Sequence, residues 1–204
     1  MTPRYDDAAE FYVAFVDRML GDPDSFWHPL RALYIEILRD RLPGARVLDV
    51  ACGEGHLSRL LGTLGPREVI GIDISAGLLR VAAERSAQPN LHFRQDDAQM
   101  LSSVPDASID TAVSNLAVMD IADHRALFGV VRRVLAPGGD FVFSLLHPCF
   151  QAPFHEPEAP QFMYDEPGNP SATPSGSTPA KDTGTRAERA CAGGSGRTTA
   201  PCPR

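Results

Sequence analysis

The chain has 204 residues and a formal charge of −7, with 43% hydrophobic and 22% charged residues. That length supports one domain with a substantial core, and the acidic balance argues against a protein that grips a nucleic-acid backbone. No apolar run approaches the roughly 20 residues that span a bilayer, and Met1-Thr-Pro-Arg-Tyr-Asp-Asp7 lacks the apolar centre of a signal peptide, so a cytoplasmic setting is expected.

In chain order, residues 5–42 read as helical. Phe11, Phe15 and Met19 recur every fourth residue, and Trp27, Leu30, Tyr34, Ile37 and Leu38 keep a similar spacing. Gly21-Asp-Pro-Asp-Ser25 separates two helices, with Asp24 or Ser25 as N-cap. Residues 45–148 alternate apolar runs with helical periods. Strands are expected at 46–51, 68–73, 91–94, 109–115 and 140–147, and helices at 56–64, 76–87 and 122–135. The strand runs are apolar on both parities, as strands covered on both faces must be. The alternation therefore implies crossover units and a doubly wound, mostly parallel α/β sheet of about five strands.

From Asp165 to Arg204 there is no Ile, Leu, Val, Met, Phe, Trp or Tyr. Such a segment buries too little apolar area to offset its ordering entropy, so the sequence predicts a disordered tail. The expected organisation is a helical region at 1–44, a ligand-binding domain at 45–164 and the tail at 165–204. Cys52, Cys149, Cys191 and Cys202 form no C-x-x-C pair, and His28, His92, His124 and His155 show no metal spacing, so no metal is expected.

The chemistry-bearing segment is Val47-Leu-Asp49-Val-Ala51-Cys-Gly53-Glu-Gly55. A glycine turn between a strand and a helix lets a ligand approach the backbone. Asp73 ends the next strand, close to 20 residues on, where a carboxylate accepts ribose hydroxyls. A dinucleotide site needs G-x-G-x-x-G to seat its pyrophosphate. Counting from Gly53 puts Ser58 at the third glycine, and counting from Ala51 puts His56 there, so neither register fits. Asp49, just before the loop, would repel a pyrophosphate and suits a cationic ligand end.

Asp49-x-Ala51-x-Gly53-x-Gly55 resembles motif I of the class I S-adenosylmethionine-dependent methyltransferases, with Ala51 where the family usually has glycine. The resemblance extends in order through Asp73, Phe93–Leu101, Ile109–Leu116 and the Leu135-Ala-Pro-Gly-Gly139 turn, covering about residues 45–148. It implies a Rossmann-like fold with an N-terminal helical lid and S-adenosylmethionine (SAM) as cofactor. Asp49 would place the amino-acid end, and the backbone at Ala51, Gly53 and Gly55 would pass close beneath. Asp73 would hold the ribose and Ile74 would pack on adenine. Asp97 and the Ala98 N–H would bind the adenine edge, with Asp96 as a loop acid beside them. Carbonyls of Asn115 and Leu116 would lie by the sulfonium.

The expected reaction is methyl transfer to O, N or C of a small molecule, with a SAM-binding chain lacking turnover, or less favourably an NAD-dependent oxidoreductase, as alternatives. His147, ending the fifth strand, is the candidate base. Tyr5 and Tyr12 are candidate lid contacts, and His56 is expected as a surface or capping feature. The family's sheet has seven strands in the order 3-2-1-4-5-7-6. The sequence supplies five, so the sixth and seventh are expected to be missing. With 18 arginines and one lysine, the composition suggests GC-rich coding, and the tail is expected to be an out-of-frame replacement of a native C-terminus.

Overall fold

A computed structural model describes residues 9–146, together with a short antiparallel ladder of Tyr164–Asp165 with Asn169–Pro170. The chain divides into two units, 1–146 and 147–204. In the second, only the ladder is described, and its Asp165–Asn169 pair falls where the tail is expected to begin.

The first unit starts with helices α1 (Ala9–Gly21) and α2 (Trp27–Leu38). Strand β1 (Arg46–Val50), helix α3 (His56–Gly62), β2 (Glu68–Asp73), α4 (Ala76–Glu84) and β3 (Leu91–Gln95) follow. Then come β4 (Ile109–Asn115), a 3-10 turn at Val118–Asp120, α5 (His124–Val134) and β5 (Leu135–Ser144). The five strands are all parallel, in the order β3-β2-β1-β4-β5. This is the doubly wound arrangement that the sequence implies. No described helix is long and apolar enough to cross a membrane.

Alternation along the strands sends side chains to two cores. Leu48, Val50, Ile70, Ile72 and Ala112 face α5 through Leu127, Val131 and Val134. Val47, Val69 and Val113 face the opposite way, onto Leu57 and Leu61 of α3 and onto Tyr34 and Leu38 of α2. Helix α2 is therefore a layer of the core as much as a cover. Its Tyr34 hydroxyl crosses to the sheet and donates to the Ser114 carbonyl at 2.9 Å.

Local chemistry starts the helices where they start. Ser75 caps α4 by accepting from Leu78 N at 3.1 Å, and Asp123 caps α5 by accepting from Ala126 N at 2.9 Å. Strand β5 begins at Leu135, five residues before the expected Asp140. Leu135 pairs with Ile109, and the register then shifts before Thr111 pairs with Asp140. The Pro137-Gly138-Gly139 turn forms this irregularity while the chain stays beside β4, and Gly138 adopts φ +82°.

Candidate functional site

The carboxyl ends of β1, β2 and β4 open onto one crevice, where ligands of open parallel sheets bind. Two non-glycine residues there sit in the left-handed region, Ala51 at φ +58° and Leu116 at φ +52°. Such strain persists only where surroundings enforce it, and it clusters at ligand sites. Gly55 (φ +80°) caps α3, and a Cβ there would lie 2.8 Å from the Phe93 ring, so only glycine fits.

Asp73 ties the crevice together. Its Oδ2 accepts from Gly53 N at 2.8 Å and its Oδ1 from Ser75 N at 2.9 Å. The tip of β2 thus fixes both the glycine turn and the start of α4. Asp49 is fully buried and accepts from Ser58 Oγ at 2.5 Å. Burial pushes its carboxyl up to about 7, and the nearby Asp73 and Glu54 charges add to the rise against the Ser58 hydrogen bond.

Helix α1 lies against the turn. A Cβ on Gly53 would meet Tyr12 Cε1 at 3.4 Å, so the Tyr12 ring covers that backbone. Burial first, and then the Asp73, Glu54 and Asp120 carboxylates, push the Tyr12 hydroxyl up to about 12. On the same helix, Asp17 takes both guanidinium nitrogens of Arg85, at 2.7 and 2.9 Å. Arg85 also lies 3.5 Å from Glu54 in the glycine turn. Glu54 is 1% exposed and is held by Arg59 at 2.6 Å and by His56 Nδ1 at 3.2 Å. Burial alone would raise its carboxyl, but His56 and Arg59 overcome that and bring it to about 2.

A second polar chain runs across the tips of β4 and β5. Asn115 Nδ2 is 3.3 Å from His56 Nε2, and Asn115 Oδ1 accepts from Ser144 Oγ at 2.9 Å. Ser144 Oγ in turn accepts from Leu116 N at 3.0 Å.

Residues 48–143 match the family model of the methyltransferase domain. This segment belongs to the class I S-adenosylmethionine-dependent methyltransferases. A malonyl-[acyl-carrier protein] O-methyltransferase of Serratia marcescens is 36% identical over 104 residues, covering 51% of this chain and 39% of that protein. A ubiquinone biosynthesis O-methyltransferase of Xanthomonas campestris is 32% identical over 122 residues, covering 59% of this chain and 50% of that one. The chain thus spans half or less of the length of both curated relatives. Among solved structures, an S-adenosylmethionine-dependent methyltransferase from Mesorhizobium loti superposes with a TM-score of 0.53 at 33% identity, covering 68% of this chain and 62% of that one.

The methyltransferase domain brings most of its expected residues to the crevice: Asp49, Ala51, Gly53 and Gly55 at the first turn, Asp73 and Ile74 at the second, and Asn115 and Leu116 at the end of β4. Ile74, beside Asp73, leaves 41% of its surface exposed, a free apolar face at the strand tip. Asp97 and Ala98 follow β3, where Asp97 Oδ1 accepts from Gln99 N at 2.8 Å. Asp96 folds the same loop, accepting from Ser103 N at 2.7 Å. Burial raises its carboxyl, yet the amide hydrogen bonds outweigh burial and leave it lowered. Tyr5 and His147 lie outside the described residues.

These residues fit the family's cofactor. Three carboxylates (Asp49, Glu54 and Asp73) meet at one turn, and the charges of Asp73 and Glu54 add to the rise of the Asp49 carboxyl. A cationic amino-acid end relieves that crowding. The exposed Ile74 face suits an aromatic base.

His56 departs from its expected place. It is 8% exposed, and its ring lies against Trp27 with centroids 4.8 Å apart. Ser58, Glu54 and Ser144 are further site residues that the sequence does not single out as such. A serine one turn beyond a strand-end acid is a usable signal for Ser58. Ser144 carries none, because its partners come from distant elements, and Glu54 reads as an ordinary loop acid although His56 and Arg59 follow it closely.

Proposed function

We propose that the chain transfers the methyl group of SAM to an oxygen, nitrogen or carbon of a small molecule. The observation that carries this reading is the Asp73 carboxylate joined to the Gly53 amide at 2.8 Å, which makes one binding edge of the β1 and β2 tips. Asp49, Ala51, Gly53 and Gly55 would hold the amino-acid end, Asp73 the ribose, Ile74, Asp97 and Ala98 the adenine, and Asn115 and Leu116 the methyl-bearing end. Bound there, the cofactor supplies an activated methyl group, so the protein's contribution is largely positioning and exclusion of water. Tyr12 covers Gly53 and shields the turn from solvent. The strained Leu116 backbone, held by Ser144, fixes the direction of the β4 tip.

Titration calorimetry with SAM, S-adenosylhomocysteine and NADH tests the reading. SAM and S-adenosylhomocysteine should bind and NADH should not; NADH binding without SAM binding overturns it. The alternative is a SAM-binding chain without turnover. Consumption of labelled SAM across a metabolite panel separates the two.

A further inference from the structure

His56 is a buried histidine that none of the proposed cofactor contacts uses. Its two ring nitrogens have different neighbours. Nδ1 faces the Glu54 carboxylate at 3.2 Å, and Nε2 faces the Asn115 side-chain amide at 3.3 Å. The amide's orientation is fixed from its other end, because Asn115 Oδ1 is taken by the Ser144 hydroxyl. The NH2 group therefore points at the imidazole. The carboxylate 3.2 Å from Nδ1, out of line for a hydrogen bond, and the amide donor at Nε2 together favour one tautomer, with the proton on Nδ1 and the lone pair on Nε2.

That lone pair is directed at the tip of β4, beside Asn115 and Leu116. Two groups face the ring. Glu54 is kept ionised by Arg59 and Arg85 and sits against Nδ1. The Trp27 face covers the ring at 4.8 Å. The ring itself is buried, with Trp27 4% and His56 8% exposed. A carboxylate that orients a histidine, whose other nitrogen meets the reacting group, is the arrangement of a general base. Glu54 is then a positioning residue.

We propose that His56 Nε2 is the base that deprotonates the methyl acceptor, and that the acceptor is therefore a hydroxyl compound, a phenol or an alcohol. This rests on the methyltransferase reading above. On binding, the hydroxyl takes the place of the Asn115 amide at Nε2. As the acceptor oxygen forms its bond to the methyl carbon, the carbon–sulfur bond breaks with its electron pair left on sulfur. The hydroxyl proton passes to Nε2, giving an imidazolium paired with Glu54, and then leaves to solvent. An oxygen acceptor needs this proton removed early, and a base so placed contributes roughly 10²–10⁴-fold in rate.

The experiment uses the full chain in two arms. Nitrogen-15 NMR of histidine-labelled protein reads the His56 tautomer; Nδ1–H with a bare Nε2 is expected, and Nε2–H overturns the proposal. Glu54→Gln should mix the tautomers. In the second arm, labelled SAM is offered with phenols and alcohols, each matched by the amine of the same skeleton. Label should enter hydroxyl compounds, and His56→Asn and His56→Gln should lower transfer by a hundredfold or more while SAM affinity stays within about twofold. Label in amines alone, no labelled hydroxyl compound, unchanged transfer in the variants, or SAM affinity falling in step with the rate each overturns it. The tautomer arm uses the unaltered chain, so a variant that fails to fold leaves a decisive measurement. Absence of SAM binding to the unaltered chain sinks the methyltransferase reading itself, whereas SAM binding with label only in amines sinks the His56 proposal alone.

Discussion

The glycine-turn end of the sheet and the β5 edge are built on opposite terms. At the turn, Asp49, Glu54 and Asp73 are all buried, and each is committed to a named donor. The backbone beside them is strained at Ala51 and Leu116. At β5, Phe128, Phe141 and Phe143 cluster with centroids 5.1–5.8 Å apart, and Phe128 and Phe143 each keep about 40% of their surface exposed. A groove of about 430 Å³ lies there between Phe128, Val131, Pro137 and Phe141, and it holds none of the proposed cofactor residues. A site for a charged ligand is recognised by paid desolvation and fixed dipoles, not by the size of a hollow.

Substitutions at the two ends should differ accordingly. The largest effect is expected from Glu54→Ala, which takes the buried carboxylate from Arg59 and from Arg85, the latter keeping Asp17; a loss of about 2–3 kcal/mol in urea unfolding is expected. A loss below about 1 kcal/mol would show that the turn is no more committed than the β5 edge. Next, Asp73→Ala should weaken SAM by roughly 1–3 kcal/mol in calorimetry, since it removes acceptors from both loop and ligand. Unchanged affinity would count against the ribose role.

Asp49 sharpens the contrast through pH. Its folded carboxyl is raised to about 7 from an ordinary value near 3.8. Between these values the folded chain holds a proton that the unfolded chain has released, so stability falls as pH rises through that window and levels off above it. Asp49→Asn keeps a partner for Ser58 and removes this dependence. It should therefore gain on the unaltered chain from pH 5 to pH 8 in urea titrations, while losing SAM affinity. A cationic cofactor end should also pull the Asp49 proton off, so SAM binding below about pH 7 should release protons, measurable in buffers of different ionisation enthalpy. The smallest effects come last. Ala51→Gly relieves a left-handed alanine and should stabilise by about 1 kcal/mol. Phe143→Ser, on the exposed β5 face, should move stability by about 1 kcal/mol or less.

The contrast also explains what the sequence discloses. Strands β2 and β4 match their expected ends residue for residue, because each has an apolar centre, Val69-Ile70 or Ala112-Val113, and stops at a polar residue, Asp73 or Asn115. The start of β5 was hidden because Pro137-Gly138-Gly139 carries the composition of a turn while its backbone still runs beside β4. At the site, Asp49 and Asp73 are legible from strand ends alone. Ser58 reads only as a failed dinucleotide glycine, though it is the donor to Asp49. His56 reads as a surface residue because what buries it, Trp27, lies 29 positions earlier on α2. Local periodicity reports which face of an element is apolar; it carries no account of which distant ring settles on a polar one.

Trp27 has one more consequence. It is the sole tryptophan of the chain, and it is stacked against His56. A charged imidazole quenches indole emission and a neutral one does so far less. The crevice therefore contains its own optical probe: the surroundings of a single ring are open to steady-state emission without any attached dye.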